Sequence, residues 1–199
     1  MFCRILTACA ALLTNIKEKK MELLEGLKTR RSVRLYDTTK KIPHEDIEKI
    51  LDAVSYSPSA HNKQPWEFLV IEDAEKLASL RTIQPWTSFA KNASCAIIVC
   101  SNTDEAFHRD KENEKWSYAD VDGTIAAYGV LLAAHALGYG ACFCGAAPMP
   151  VIIENLQEKL HIPANMRPVA IIPMGVPAEE PKQPAASRYN PQKVHWEKW

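Results

Sequence analysis

The sequence has no excess of charge of either sign and no long apolar run. Lysine and arginine number 24, as do aspartate and glutamate, so the formal net charge is zero. Nucleic-acid binding requires a basic face that displaces counterions, and this balance argues against it. No stretch reaches the ~20 apolar residues of a membrane-spanning helix. We therefore expect neither nucleic acid nor membrane as a partner.

Several short motifs are also absent from the sequence. It contains no GxGxxG after a strand, no GxxxxGK, no HExxH and no GxSxG, so neither a Rossmann fold nor a hydrolase elbow has support. Among its six cysteines, the spacing of Cys142 and Cys144 does not match a zinc site, and no second pair of ligands complements it. We predict no metal, and reduced, buried thiols in a cytoplasmic protein.

The first 20 residues differ from the rest of the chain. Residues 2–13 are apolar with one arginine, and a lysine-rich stretch (KEKK, 17–20) follows. A signal peptide places its positive charge before the apolar core, which is the reverse of this order. We expect residues 1–20 to be an extension outside the core and residues 21–199 to form a single domain with an extended C-terminal tail. Export by a signal peptide is the alternative.

Hydrophobic periodicity predicts a mixture of helices and strands. The predicted helices cover residues 21–31, 43–57, 73–80, 118–137 and 150–160, and the predicted strands cover residues 66–71, 95–100 and 169–174. Residues 141–145 are predicted to be short and extended. The helix at 118–137 is apolar nearly all round, which is typical of a core or an interface. Residues 102–115 show no period and are predicted to form a loop or lid.

The composition changes after Pro177, where repeated prolines predict an extended tail. This tail carries Tyr189, Trp196 and Trp199. Because aromatic residues of this size are seldom left in water, we expect the tail to dock onto a surface.

Three arginines and a serine cluster at residues 30–34 (RRSVR). Guanidinium groups bind phosphate oxygens in pairs and serine adds a donor, so the cluster suits one phosphate monoester. Basic residues also complement the dipole at the end of a helix, and a solvated helix end is the alternative interpretation. The residues alone leave both open.

A loop rich in small and amide side chains follows at residues 57–66 (SPSAHNKQPW). Asn62 and Gln64 each offer a donor and an acceptor, which suits the alternating acceptors and donors along the edge of an isoalloxazine ring. An ordinary turn leading to a core tryptophan fits the same composition.

Taken in order, these segments resemble the FMN-dependent nitroreductase family. RRSVR is followed by SPSAHNKQPWEF, a long small-residue helix, GYGACFCG at 138–145 and a tail with RYN at 188–190 and VHWEKW at 194–199. The resemblance covers roughly residues 21–199. It implies an α+β fold with a mixed, mainly antiparallel sheet flanked by helices, and an intertwined homodimer with FMN at the subunit interface.

The resemblance also implies which residues contact the cofactor. The residues that match its phosphate and ribityl contacts are Arg30, Arg31, Ser32, Arg34 and, in the tail, Arg188. The residues that match a loop reaching the flavin from the other subunit are Pro58, Ser59, Ala60, Asn62 and Gln64. The residues that match the stretch beside flavin N5 are Cys144 and Gly145, with glycine permitting close approach.

Some positions depart from the family pattern. Ala60 stands where a second serine is common, and Ala186 stands where many members carry another basic residue. Phosphate binding then depends more on residues 30–34. Phe107, Trp116 and Tyr118 are candidates for aromatic residues of the substrate lid.

The chemistry implied is transfer of hydride from NADH or NADPH, through flavin N5, to a small acceptor such as a nitroaromatic or a quinone. Arg34 is a possible stabiliser of the reduced flavin, and no side-chain acid or nucleophile is required. Two alternatives remain open. One is a flavin-binding or flavin-handling protein of the same fold without efficient NAD(P)H turnover, and the other is a scaffold that acts through its tail.

Overall fold

The computed structural model describes residues 22–108, 117–184 and 186–199, which form five helices and five strands. The helices are α1 (Leu23–Thr29), α2 (His44–Val54), α3 (Ala74–Ile83), α4 (Ala119–Ala136) and α5 (Pro150–Leu160). The strands are β1 (Trp66–Ile71), β2 (Cys95–Asn102), β3 (Gly140–Ala141), β4 (Cys144–Gly145) and β5 (Met166–Gly175). Short 3₁₀ segments lie at Ala60–Asn62, Pro85–Asn92 and Pro191–Lys193.

The sheet has the strand order β1-β2-β5-β3, and β4 also pairs with β5. All of these strand pairs are antiparallel. A single parallel bridge between Ser32 and Ala141 adds the mixed character. The predicted α+β fold with a mixed, mainly antiparallel sheet flanked by helices is therefore confirmed.

Both faces of the sheet are covered, so the central strands are buried on both sides. On one face Ile97, Val99 and Ile172 pack with α2 and α4. On the other face Ile98 and Ile171 pack with α3 and α5. Every residue of β2 is buried, which is why its sequence is one continuous apolar run rather than an alternating pattern.

The boundaries of several elements differ from the prediction by a few residues. Helix α1 ends at Thr29 rather than at residue 31, because Arg30 adopts an extended conformation that leads toward the sheet. The 3₁₀ segment Pro85–Asn92 was not predicted, since short turns carry little periodic signal. Part of the predicted lid, including Trp116, falls at residues 109–116, outside the described residues.

The tail runs along the outside of the chain and leaves its aromatic side chains in solvent. Trp196 and Trp199 are exposed, and Trp199 stacks on His195, with 4.3 Å between ring centroids. These two tryptophans therefore do not dock onto the described residues of their own chain. None of the described helices is both long and apolar enough to cross a bilayer.

Candidate functional site

The arginine segment 30–34 lies beside strand β3 and forms backbone contacts with it. The N–H of Val33 donates a hydrogen bond to the carbonyl of Ala141 over 3.0 Å, and Ser32 forms a bridge with the same residue. Gly140 makes this approach possible, because a Cβ there would lie 2.7 Å from Val33. Two segments that are more than 100 residues apart in the sequence are thereby brought together.

The hydrogen-bond donors of Arg30 and Arg31 are only partly paired with acceptors among the described residues. The Nε atoms of Arg30 and Arg31 are buried and have no hydrogen-bond partner among the described residues. One terminal nitrogen of Arg31 donates to the carbonyl of Arg30 over 2.6 Å. Both guanidinium groups lie near His135, whose pKa is lowered by burial and then by these two charges. Buried donors without partners are costly, so an anion that accepted from them would be stabilising.

Residues 140–145 form one wall of the candidate site. Gly140 pairs with Gly175 and Gly145 pairs with Ala170, so the segment keeps one register along β5. The side chain of Gln84 donates to the carbonyl of Gly145 over 2.7 Å and fixes that peptide group. The segment therefore has a defined position although only its two ends are regular strand.

A cavity of about 580 Å³ opens between this wall and residues 84–89, and of the arginine segment Arg34 lines it. Its lining residues are Arg34, Gln84, Pro85, Trp86, Ser88, Phe89, Cys142, Phe143, Cys144, Gly145 and Met149. The guanidinium carbon of Arg34 lies 5.9 Å from the centroid of the Phe89 ring, a cation–π contact that holds the charge at the cavity. The cavity thus combines aromatic walls with a single cation, as small-molecule sites commonly do.

A second cavity, of about 850 Å³, is larger but has the wrong charge for a phosphate ligand. Its walls include Asp104, Asp120 and Glu154, with Arg167 bonded to Asp120. Because like charges repel, this carboxylate-rich lining favours a cation or a neutral group. We therefore place the candidate functional site at the smaller cavity.

The loop predicted to reach the cofactor, residues 58–64, has an unusual backbone. His61, Asn62 and Gln64 have φ values of 52°, 53° and 51°, in the left-handed region that favours glycine. The side-chain amide of Gln64 donates to Asn62 Oδ1 over 3.1 Å. The backbone N–H of Gln64 donates to Ser59 Oγ over 2.9 Å. Such conformations persist only where the surroundings fix them, and they cluster at functional sites.

Comparison with known proteins identifies the family. The profile of the nitroreductase family matches residues 27–87 and 84–176, which is most of the chain. The chain belongs to the nitroreductase family. The matched range contains the segment 30–34, the loop 58–64 and both cysteines of the cavity wall.

Individual relatives are similar to this nitroreductase-family chain in sequence, and solved structures are similar to it in fold. A protein of Methanothermobacter thermautotrophicus, named as a candidate NADH dehydrogenase/NAD(P)H nitroreductase, is 38% identical over 92% of this chain and 91% of its own. A crystal structure from Bacteroides thetaiotaomicron with the same name has a TM-score of 0.79 and 33% identity, covering 89% of this chain and 98% of the other. An FMN-dependent nitroreductase of Clostridium difficile has a TM-score of 0.76 and 30% identity, covering 88% and 99%.

The structure brings two of the predicted groups together and leaves two apart. Residues 30–34 lie next to the wall that contains Cys144 and Gly145. The loop 58–64 does not line the cavity of its own chain, and Arg188 is exposed in the tail. Their roles stay predictions, and both are compatible with contacts across a dimer.

Sequence reasoning missed several residues of the site. Gln84, Phe89 and Cys142 line the cavity, and Asp122 holds the loop 58–64 through the N–H of Ala60. Gln84 precedes the unpredicted 3₁₀ segment and Phe89 lies within it, and neither residue carries a local signal. A single buried acid in an apolar helix, Asp122, could have been noticed, since such a residue needs a partner.

Proposed function

We propose that this chain is an FMN-dependent oxidoreductase that passes hydride from NADH or NADPH to a small acceptor such as a nitroaromatic or a quinone. The observation that carries the proposal is the hydrogen-bonded alignment of Val33 with Ala141, which sets the arginine segment beside the cavity. Relatives at 30–38% identity have FMN or NAD(P)H in their names. Family membership supports the same reaction class.

The unpartnered arginine nitrogens fit the phosphate of FMN. Arg30 and Arg31 have buried Nε donors, and Ser32 and Arg34 follow on the same segment. Guanidinium groups and a hydroxyl are suitable donors for a phosphate dianion. We propose that these four residues bind the phosphate and the ribityl chain, and that Arg188 joins them from a tail.

The cavity wall fits a flat ring. Phe89 and Trp86 supply apolar surface, and the backbone of Cys144 and Gly145 borders the same space. When bound, FMN supplies a ring whose N5 atom accepts and returns hydride. Arg34, held over Phe89, places a positive charge where it would stabilise negative charge on the reduced ring.

A second subunit would complete the site. We propose that a homodimer brings Pro58, Ser59, Ala60, Asn62 and Gln64 to the ring of the neighbouring chain. The long helix α4 supports this, since Val121, Ile125 and Tyr128 form an exposed apolar stripe at helical spacing. An isologous dimer would bury this stripe.

The proposal is tested by absorption spectroscopy followed by steady-state kinetics. Purified protein is expected to carry or take up FMN, and NADH or NADPH should bleach the oxidised flavin absorbance. A nitroaromatic or a quinone should restore it and support continuous oxidation of NAD(P)H. Failure to bind FMN would reject the assignment, whereas bleaching without turnover would favour the flavin-handling alternative.

The tail-scaffold alternative has its own test. Trp196 and Trp199 are exposed and so are available to a partner. We expect a chain truncated after Pro184 to lose FMN affinity and dimerisation together, because the tail would cover the neighbouring subunit. If the truncated chain kept both, the tail would have a separate function.

A further inference from the structure

The arginine segment 30–34 is held near both of its ends by residues distant in the sequence. Its far end is held at Val33, whose N–H donates to Ala141. Its near end follows Thr29, the last residue of α1, where Arg30 leads the chain into an extended conformation. A displacement at Thr29 would move the side chains of Arg30 and Arg31, whose buried Nε donors are unpaired within the described ranges.

His135, in the last turn of α4, contacts Thr29 across the fold. The imidazole Nε2 of His135 lies 2.9 Å from Thr29 Oγ1. The same hydroxyl donates to the carbonyl of Glu25 over 2.7 Å, which uses its single proton. The oxygen can therefore only accept from His135, so Nε2 carries a proton and is the donor.

The charge state of His135 agrees with this assignment. Burial, and then the charges of Arg30 and Arg31, lower the pKa of His135 below its ordinary value, so the ring is neutral at neutral pH and has one N–H. The contact with Thr29 places that proton on Nε2. A glutamine Nε2 stands the same number of bonds from Cα and also donates, whereas alanine has no donor.

The other contacts near Thr29 do not reach the core. The side chain of Gln183 donates to the carbonyl of Thr29 over 3.2 Å, but Gln183 is exposed in the tail. The N–H of Arg30 donates to the carbonyl of Gly26 within the end of α1. Helix α4, by contrast, is packed in the core through residues such as Val130. His135 therefore joins the start of the arginine segment to a rigid element.

We propose that His135 is a positioning residue for phosphate binding, because its Nε2–H holds Thr29 and thereby the start of the segment that carries Arg30 and Arg31. This inference rests on the proposed binding of the FMN phosphate at residues 30–34. His135 acts through Thr29 and not by contact with the ligand. The affinity for a phosphorylated flavin should therefore depend on His135, whereas the affinity for the flavin ring alone should not.

Titrations with FMN and with riboflavin, which lacks the phosphate, test the proposal. His135→Ala should raise the Kd for FMN by about threefold to tenfold, the effect of one hydrogen bond between neutral groups, and should change the Kd for riboflavin little. His135→Gln keeps a donor and should restore the affinity for FMN. His44→Ala removes an exposed histidine at the start of α2 and should change neither Kd. Urea unfolding checks that each variant is folded.

Variants of Thr29 test whether His135 acts through this residue. Thr29→Val keeps the shape of the side chain without the hydroxyl and should weaken FMN binding as His135→Ala does, whereas Thr29→Ser keeps the hydroxyl and should not. The double variant should bind FMN no more weakly than Thr29→Val alone, since both substitutions remove the same contact. If His135→Ala does not fold, the comparison of Thr29→Val with Thr29→Ser decides.

The proposal is overturned if folded His135→Ala and Thr29→Val bind FMN as the wild type does, or if riboflavin loses affinity equally. It is also overturned if the effects of the two substitutions multiply in the double variant. A wild-type chain that binds no FMN would reject the proposed function, and inorganic phosphate would then be the probe for the same variants. A wild-type chain that binds neither FMN nor inorganic phosphate would overturn both proposals.

Discussion

The carboxylate of Asp122 accepts a hydrogen bond from the backbone N–H of Ala60 over 3.0 Å, and this contact ties α4 to the loop 58–64. Asp122 is buried, its other oxygen has no partner among the described residues, and burial raises its pKa. The same loop holds His61, Asn62 and Gln64 in left-handed conformations, each costing about 1–3 kcal/mol. Asp122 is therefore a positioning residue for the loop.

Replacing Asp122 separates the role of its oxygen from that of its charge. Asp122→Ala leaves the N–H of Ala60 without an acceptor, and we expect the free energy of unfolding to fall by about 1–3 kcal/mol. Asp122→Asn keeps one carbonyl oxygen and should lose less. Urea unfolding of both variants measures the difference, and FMN titration reports whether the loop still supports binding. Equal midpoints for the two variants would contradict the positioning role.

The raised pKa of Asp122 predicts how stability changes with pH. The folded chain binds its proton more tightly than the unfolded chain does, so the contribution of this group to stability falls as pH rises from about 4 through the folded pKa. Asp122→Asn has no such proton. The unfolding midpoint of wild type, relative to that of Asp122→Asn, should therefore decrease over this range and then level off. If the difference between the two unfolding midpoints stayed constant across this pH range, burial would not shift the pKa of Asp122.

The individual helices and strands were predictable from local patterns and the fold from the family resemblance, whereas the assembly of the site was not predictable from local patterns. Strand β2 followed from its continuous apolar run, and α2 followed from Pro43 and the acids of its first turn. The contact between Val33 and Ala141 joins segments far apart in sequence, and no local pattern encodes it. The resemblance to a known family identified the arginine segment and the stretch with Cys144. It did not identify Asp122, whose role depends on packing.

The arginine segment predicts a difference between FMN and riboflavin, which lacks the phosphate. A hydrogen bond to a charged group contributes about 1.5–3 kcal/mol, so Arg30→Gln should raise the Kd for FMN by about tenfold to a hundredfold. The Kd for riboflavin should change little. Lys28→Gln removes an exposed positive charge from the last turn of α1 and serves as the control. Equal loss of affinity for both ligands would mean that Arg30 shapes the cavity rather than binding phosphate.

The exposed stripe on α4 predicts a dimer that one charge can disrupt. Ile125 lies at its centre, between Val121 and Tyr128, and a stable interface buries more than about 1,000 Å². Ile125→Glu would place a carboxylate in that surface without a partner, so we expect dissociation at micromolar concentration and weaker FMN binding. Val151→Glu adds the same charge at an exposed apolar position on α5 and should leave the dimer intact. Sedimentation velocity compares the three proteins, and a monomeric wild type would refute the dimer and require each chain to bind its ligand alone.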